Sequence, residues 1–227
     1  MFSPISIDIF DLGRYWVDLR EKYPRKELHP AIQDNAGFAL GVPALRGLFV
    51  SDDDAKVLQL QKDRMYVNWR KRHAEYPRFS SGEGALKPTA IAELDAFAKF
   101  CQYELGQQIR PHQVELAKID MIEKGRYWDS FDELRQLLPI TDSFEEFRKT
   151  EQPEFAIKFS ESGPQFTTTL NFATARAQKG ELAAVKVETR VSVHITDLGI
   201  ESAFSAANER SNEAFFTMFK QEKLEGR

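Results

Sequence analysis

A basic and aromatic segment between Lys62 and Phe79 carries residue types that bind phosphate and stack on bases. Its cations are Lys62, Arg64, Arg70, Lys71, Arg72 and Arg78, and its rings are Tyr66, Trp69, Tyr76 and Phe79. Guanidinium groups bind phosphate through paired hydrogen bonds, and aromatic side chains stack on nucleobases. We therefore predict a candidate anion or nucleotide site from Arg70, Lys71, Arg72, Arg78, Trp69 and Tyr76.

The next stretch, SSGEGALKP (residues 80–88), places two glycines before a predicted helix, whose amino terminus could attract the same anion. It lacks the lysine and hydroxyl residue of a phosphate-binding loop, and Glu83 would repel phosphate. A competing interpretation makes Trp69 and Phe79 core residues and RKRH a solvated turn at the edge of a sheet.

Other reactive residue types lack the spacing that chemistry requires. The three aspartates of SDDD (residues 51–54) predict an acidic turn, because the spacing does not match a calcium-binding loop. Cys101 lies in the apolar stripe of a predicted helix, where a thiol is buried and inert. No two histidines have metal-ligand spacing; they are His29, His73, His112 and His194. We expect no catalytic residue, metal or cofactor.

Aromatic residues beyond those that a core needs indicate a protein-binding surface. Phe215 and Phe216 are adjacent in the closing helix and cannot both face one sheet, and Trp128 joins them as a candidate interface residue. These residues could support a homodimer or a protein partner. The alternative places Phe216 in the cleft between two lobes.

The elements of the N-terminal part alternate between strand and helix periodicity. ISIDIF predicts a strand with Ile5, Ile7 and Ile9 on one face, followed by a helix that ends before Pro24. Residues 24–47 are rich in glycine and proline and are predicted to be irregular. LFV predicts a strand, and residues 57–69 predict a hairpin or one long bent strand.

A helix over residues 88–105 follows, stopped by Gly106. The segment HQVELAKIDMIEK then predicts a strand with a bulge between Leu116 and Ile119, where the apolar register slips. Two near copies, DSFDELRQLLP and DSFEEFRKTEQP, each begin with the capping pattern of a short helix.

The C-terminal part shows alternating strands in EFAIKF, FTTTLNFAT and VKVETRVSVHI, in which Glu188 could pair with Arg190 or His194, and then a closing helix. The predicted class is α+β, with two lobes of antiparallel sheet, each covered by helices. We place an N-terminal lobe at residues 1–126, an acidic helical connector at 127–152 and a C-terminal lobe at 153–227.

Composition excludes several classes of protein. The chain has 227 residues, 42% of them hydrophobic, and a formal net charge of −4, so it has no overall attraction to nucleic acid or acidic membranes. A single cysteine excludes an internal disulfide, and no window is long and apolar enough to span a membrane. No targeting segment precedes the first strand. We expect a cytoplasmic protein.

Several segments together resemble a sporadically distributed family of uncharacterised bacterial proteins. They are YWVDLREKYP, VLQLQKDRMYVNWRK with YPRF, FCQYELG before PHQVELAKIDMI, and NEAFFTMF. The resemblance implies no established activity, and the patchy distribution of the family suggests mobile elements or anti-phage and toxin-type modules. Its relatives carry a histidine early in the last helix, where this chain has SAANERSN, so we expect no histidine-centred site there.

The leading hypothesis is a non-enzymatic binding or regulatory protein of such a bacterial defence or toxin-antitoxin-like module, acting through protein contacts. The absence of a nucleophile with a nearby base and of a phosphate loop motivates it. The alternative is a nucleotide- or nucleic-acid-binding protein, with or without processing activity, that uses residues 62–79.

Overall fold

The computed structural model describes residues 1–32, 45–72, 76–82, 84–138, 154–176, 182–195 and 199–219. The chain divides into a first unit, Met1–His112, and a second unit, Gln113–Arg227. There are two four-stranded antiparallel sheets among the described residues, and helices accompany both. The predicted α+β class with two sheet lobes is therefore confirmed.

The described residues of the first unit form two helices and a meander of four strands. In chain order its elements are α1 (Ile9–Leu19), β1 (Arg25–Pro30), β2 (Leu45–Val50), β3 (Lys56–Gln61), β4 (Arg64–Trp69) and α2 (Leu86–Glu104). The sheet order β1-β2-β3-β4 follows the chain, and all neighbours are antiparallel. The starts of β1 and β3 and the ends of β2 and β4 therefore lie at the same end of the sheet.

The start of α1 differs from the prediction for ISIDIF. The Asp8 carboxylate accepts hydrogen bonds from the N–H groups of Phe10 and Asp11, and the Asp11 carboxylate accepts one from the N–H of Asp8. This reciprocal cap begins the helix at Ile9, so the predicted strand is wrong. Ile9 lies on the exposed face of α1 instead of continuing an alternation from Ile5.

The strands of the first sheet test the predictions for residues 24–47 and 57–69. β3 and β4 form a hairpin with register partners from Lys56↔Trp69 to Gln61↔Arg64, and not one long bent strand. β1 lies in the stretch that was predicted to be irregular. Its side chains are almost all exposed, so its sequence carries no apolar alternation.

The core of the first unit lies between the helices and one face of the sheet. Buried side chains from α1, α2 and the central strands form it, including Tyr15, Phe49, Leu58, Phe97 and Cys101. The predicted helix over residues 88–105 is confirmed as α2, two residues longer at its start.

Gly106 stops α2 through its backbone conformation. Its φ of 65° lies in the left-handed region, and the N–H of Gln107 then donates to the carbonyl of Cys101 at 2.9 Å. Gly106→Ala will lower the free energy of unfolding by about 1 to 2 kcal/mol, which is the backbone cost alone, because no other atom lies within 4 Å of the added Cβ.

Urea denaturation followed by circular dichroism measures this loss. The matched control is Gly13→Ala inside α1, where the added Cβ also meets no atom within 4 Å. That variant will gain up to about 1 kcal/mol from helix propensity. Equal effects of the two substitutions would contradict the backbone explanation.

The second unit contains the other sheet. Its elements are β5 (Gln113–Glu123), α3 (Phe131–Leu137), β6 (Ala156–Ser162), β7 (Phe166–Arg176), β8 (Leu182–His194) and α4 (Gly199–Thr217). The strand order is β5-β8-β7-β6. α4 packs on one face through Ala203 and Ala207, which contact Val114, Val191 and Val193.

The division between the units differs from the predicted boundary in residues 127–152. β5 pairs with β8 along its whole length, so the second unit begins at Gln113. Trp128, Leu134 and Leu137 pack in the core of that unit and do not form a separate connector. Ser130 caps α3 as predicted; the second near copy lies outside the described residues.

The predicted bulge in β5 is wrong. Leu116 to Ile119 pair in continuous register with Val191 to Glu188. The apolar pattern breaks because Lys118 and Asp120 share the face of Leu116, which α4 covers, while Ile119 lies exposed on the opposite face.

Candidate functional site

Three segments that are distant in sequence meet at one end of the first sheet. Arg25 opens β1 opposite Val50, the last residue of β2. The turn of residues 51–55 joins β2 to β3, and the N–H of Arg70, directly after β4, donates to the carbonyl of Ala55 at 2.7 Å. The antiparallel order of the strands therefore brings Arg25 and Arg70 to the same turn.

Three arginines converge on one carboxylate in this turn. Arg25 Nη2 and Arg70 Nη1 each lie 3.1 Å from Asp54 Oδ1, and Arg72 Nη2 lies 2.5 Å from Asp54 Oδ2. All three arginine side chains remain about half exposed. We call Arg25, Arg70, Arg72 and Asp54 the arginine cluster. Its three positive charges face one negative charge.

The charge of Asp54 is fixed by its partners. Desolvation acts to raise the pKa of this carboxyl, but the hydrogen bond from Arg72 and the charges of Arg72, Arg70 and Arg25 outweigh it and lower the pKa. Asp54 is therefore ionised at neutral pH. It is also the one described residue other than glycine with a positive φ, 57°.

The turn itself is held by Ser51 and Asp53. The Ser51 hydroxyl donates to Asp53 Oδ1 at 2.6 Å, and the N–H of Ala55 donates to the same oxygen at 3.0 Å. The hydrogen bond from Ser51 is the main reason that the pKa of Asp53 is lowered. Asp53 thus closes the turn while Asp54 presents its carboxylate. Among the described residues, no three potential metal ligands form a group.

An aromatic pair lies next to the arginine cluster in the chain. The rings of Trp69 and Tyr76 have centroids 4.3 Å apart, and Tyr76 is 55% exposed. Trp69 is the register partner of Lys56, whose Nζ lies 3.8 Å from where a Cβ would stand on Gly84. The rings, Lys56 and the loop before α2 therefore belong to the same end of the first unit.

The first backbone N–H groups of α2 already donate to carbonyl groups of the preceding loop. The N–H of Leu86 donates to the carbonyl of Arg78 at 3.0 Å, and that of Lys87 donates to the carbonyl of Phe79 at 2.9 Å. The next residue, Pro88, has no N–H to donate. These first-turn donors bind the YPRF segment, and so the geometry does not favour the anion site that was predicted for this helix start.

The other residues singled out in the sequence are dispersed. Burial, with a smaller contribution from the charge of Asp11, raises the pKa of the Cys101 thiol to about 11, so this thiol is protonated at neutral pH. His29 Nε2 lies 2.9 Å from Glu27 on the exposed β1, whereas His73 lies outside the described residues. The predicted pair of Glu188 and Arg190 is confirmed at 2.8 Å.

The candidate interface residues separate into core and surface. Trp128 is 2% exposed and its Nε1–H donates to the carbonyl of Ile122 at 3.0 Å, so it is a core residue and presents no surface to a partner. Phe215 packs against the same core, while Phe216 is exposed. The two adjacent phenylalanines therefore face different ways, as predicted.

Sequence reasoning missed Arg25 and the role of Asp54. Arg25 lies in a stretch without periodicity, and only the pairing of β1 with β2 brings it to Asp54. No local signal could have found it. The cationic and aromatic residues of β4 and the following loop were found because they are neighbours in the chain.

A polar cluster under α4 was also missed. Lys118 Nζ donates to Asn208 Oδ1 at 2.9 Å and to Asn212 Oδ1 at 2.6 Å. Desolvation lowers the pKa of Lys118 and raises that of Asp120, which shares its face of β5. The interrupted apolar alternation of β5 was the available signal, and it was interpreted as a bulge.

The scan against protein-family models found no match for this chain, and neither did the searches of curated proteins and of solved structures. The resemblance to a sporadic bacterial family therefore stays a prediction. No helix in the described parts of the chain is long and apolar enough to cross a membrane.

Proposed function

We propose that the arginine cluster binds a phosphate-bearing ligand, either a nucleotide or the end of a short single-stranded nucleic acid. The observation that carries this proposal is the convergence of three arginines, whose side chains are about half exposed, on one carboxylate. An arginine that only stabilised the fold would need one partner, whereas three around one carboxylate leave excess positive charge. Guanidinium groups are suited to phosphate, which each can bind through two hydrogen bonds.

The neighbouring charges do not cancel this excess. The three arginines and Asp54 have a formal charge of +2; Lys56 offsets Asp53 in the same turn, and Asp52 alone does not cancel the remainder. The chain as a whole has a net charge of −4, so the cluster is a local positive site on an acidic protein.

The ring pair supports a ligand that carries a base. Tyr76 is more than half exposed beside Trp69, which directly precedes Arg70. A base stacked on an aromatic ring gains about 1 to 3 kcal/mol, and stacking does not depend strongly on the identity of the base. Contacts between the arginines and the phosphate would thus position the ligand, and stacking of its base on a ring would add affinity.

Titration of the protein with labelled mononucleotides and short oligonucleotides tests the proposal. Wild-type protein will bind saturably at low salt and more weakly as salt rises. Arg70→Glu/Arg72→Glu will lose at least about tenfold in affinity, because hydrogen bonds from charged donors contribute about 1.5 to 3 kcal/mol each. Its melting temperature will change little, since exposed ion pairs stabilise a fold only weakly.

The matched control is Arg20→Glu/Arg110→Glu, which makes the same change in net charge at two exposed positions of the first unit. This control will bind as wild type does. Equal losses in both variants would indicate a nonspecific effect of net charge. No saturable binding by wild-type protein at low salt would refute the proposal.

A second candidate function, binding of another protein, is favoured by exposed apolar side chains on the helices of the first unit. Phe10 and Val17 lie on one face of α1, since they are seven residues apart, and Phe10 and Tyr103 are 77% and 78% exposed. Arg14 on that face of α1 pairs with Glu104 of α2, next to Tyr103. Without nucleotide binding, protein contact becomes the leading proposal. A cytoplasmic location fits either function.

A further inference from the structure

Asp54 occupies the position that a ligand anion would take in the arginine cluster. Its Oδ1 contacts Arg25 and Arg70, and its Oδ2 contacts Arg72. A ligand phosphate that binds all three guanidinium groups must displace this carboxylate. Asp54 is covalently attached to the same turn, so its effective concentration at the arginines is far above that of a free ligand.

Displacement of Asp54 does not require the turn to open. Ser51 and Asp53 hold the turn through the Ser51 hydroxyl and the N–H of Ala55. The backbone of Asp54 adds an N–H bond to the carbonyl of Ser51 at 3.0 Å, which does not involve its side chain. The Asp54 carboxylate is partly exposed and can therefore swing into solvent by side-chain rotation alone.

Phosphate groups differ in their ability to compete with a carboxylate. An internal phosphodiester carries a single negative charge, as Asp54 does, and must overcome the local concentration of Asp54. A terminal phosphate carries about −1.5 to −2 charges at pH 7 and presents three acceptor oxygens. Each of the three guanidinium groups can therefore donate to a different oxygen of a terminal phosphate.

We infer that Asp54 is an internal competitor that a ligand must displace from the arginine cluster, and that the three arginines prefer a terminal phosphate to internal phosphodiesters. This inference rests on the proposed function, and it identifies the ligand class as a nucleoside monophosphate or a 5′-phosphorylated end. Asp54 acts by competition and lowers the affinity by the same factor for every anion that must displace it, so the preference for a terminal phosphate comes from the three guanidinium groups.

The experiment compares one short oligonucleotide sequence with and without a 5′-phosphate. Wild-type protein will prefer the phosphorylated strand by about tenfold or more, the equivalent of one additional charge-assisted hydrogen bond. Asp54→Asn will bind both strands more tightly, each by at least about threefold, and will keep the preference for the phosphorylated strand, because the competitor is gone for both ligands. Asparagine tolerates the positive φ of this position.

Two further variants complete the design. Asp52→Asn removes the same charge from an exposed position of the same turn and will bind both strands less tightly than Asp54→Asn does, with an affinity close to that of wild type. Asp54→Gly also suits the positive φ and replaces Asp54→Asn if that variant does not fold, as judged by its melting curve.

The possible results separate the inference from the proposed function. Equal binding of both strands by wild type, or an affinity of Asp54→Asn no higher than that of wild type, would overturn the inference while the anion site stands. If neither strand binds to wild type or to Asp54→Asn at low salt, both the inference and the proposed function fail.

Discussion

Trp128→Ala will lower the free energy of unfolding by about 3 to 5 kcal/mol, the usual cost of truncating a large aromatic side chain in a core. The indole is 2% exposed and contacts the buried cluster of the second unit, which includes Leu134 and Phe172. Its Nε1–H also donates to the carbonyl of Ile122, which loses this partner in the variant. Urea denaturation monitored by circular dichroism measures the loss.

Trp69→Ala is the matched control for this prediction. Trp69 is only partly buried, and its ring contact is with the exposed Tyr76. We expect this variant to lose about 1 to 2 kcal/mol, from the ring pair and limited apolar burial. A loss for Trp69→Ala as large as that for Trp128→Ala would place Trp69 in a core and weaken the case for base stacking.

The first unit will lose stability steeply above about pH 10 because of two buried tyrosines. Tyr23 donates from its hydroxyl to Glu93 Oε1 at 2.9 Å, and Lys22 pairs with the same carboxylate, which is 2% exposed. Desolvation first, and then the charge of Glu93, raise the pKa values of Tyr15 and Tyr23 above the ordinary value of 10.0.

Because these pKa values are raised by folding, the free energy of unfolding falls as the pH rises. At pH values below the ordinary tyrosine pKa of 10.0, both hydroxyls are protonated in the folded and the unfolded state, and the protein has its full stability. Above it the unfolded chain releases protons that the folded chain retains, so unfolding becomes easier. Each tyrosine contributes a loss of about 1.4 kcal/mol per pH unit until the folded pKa is reached.

Urea unfolding at about pH 8 and pH 11 measures the alkaline loss. Tyr23→Phe removes one of the two groups, so the difference between the two pH values will shrink by up to about 1.4 kcal/mol. Tyr103→Phe, at a position 78% exposed, will leave the difference unchanged. Equal stability of wild type at both pH values would show that Tyr15 and Tyr23 are not buried as described.

Short-range patterns predicted the elements whose residues alternate regularly. The hairpin of β3 and β4, the helix α2 and the strands β6 to β8 each have a clear period and a turn or stop signal at their ends. β1 could not be predicted because an exposed edge strand needs no apolar residues. The sheet to which β5 belongs could not be predicted either, since its partner β8 follows far along the chain.

The candidate site was partly predictable for the same reason. Arg70, Arg72, Trp69 and Tyr76 are close in sequence, so their composition alone indicated a surface for anions and bases. The convergence on Asp54 depends on side-chain contacts across a sheet end, which no local pattern encodes. The acidic turn and the basic segment were therefore treated as separate features, although they form one cluster.

The strand order of the second sheet affects how the protein is completed on the ribosome. Gln113 opens β5 but pairs with His194, at the end of β8. β5 is therefore synthesised long before the strand that pairs with it exists, and its unpaired backbone and exposed Ile119 and Met121 are open to aggregation or chaperone binding in the meantime. The sheet of the first unit pairs in the order of synthesis and has no such delay.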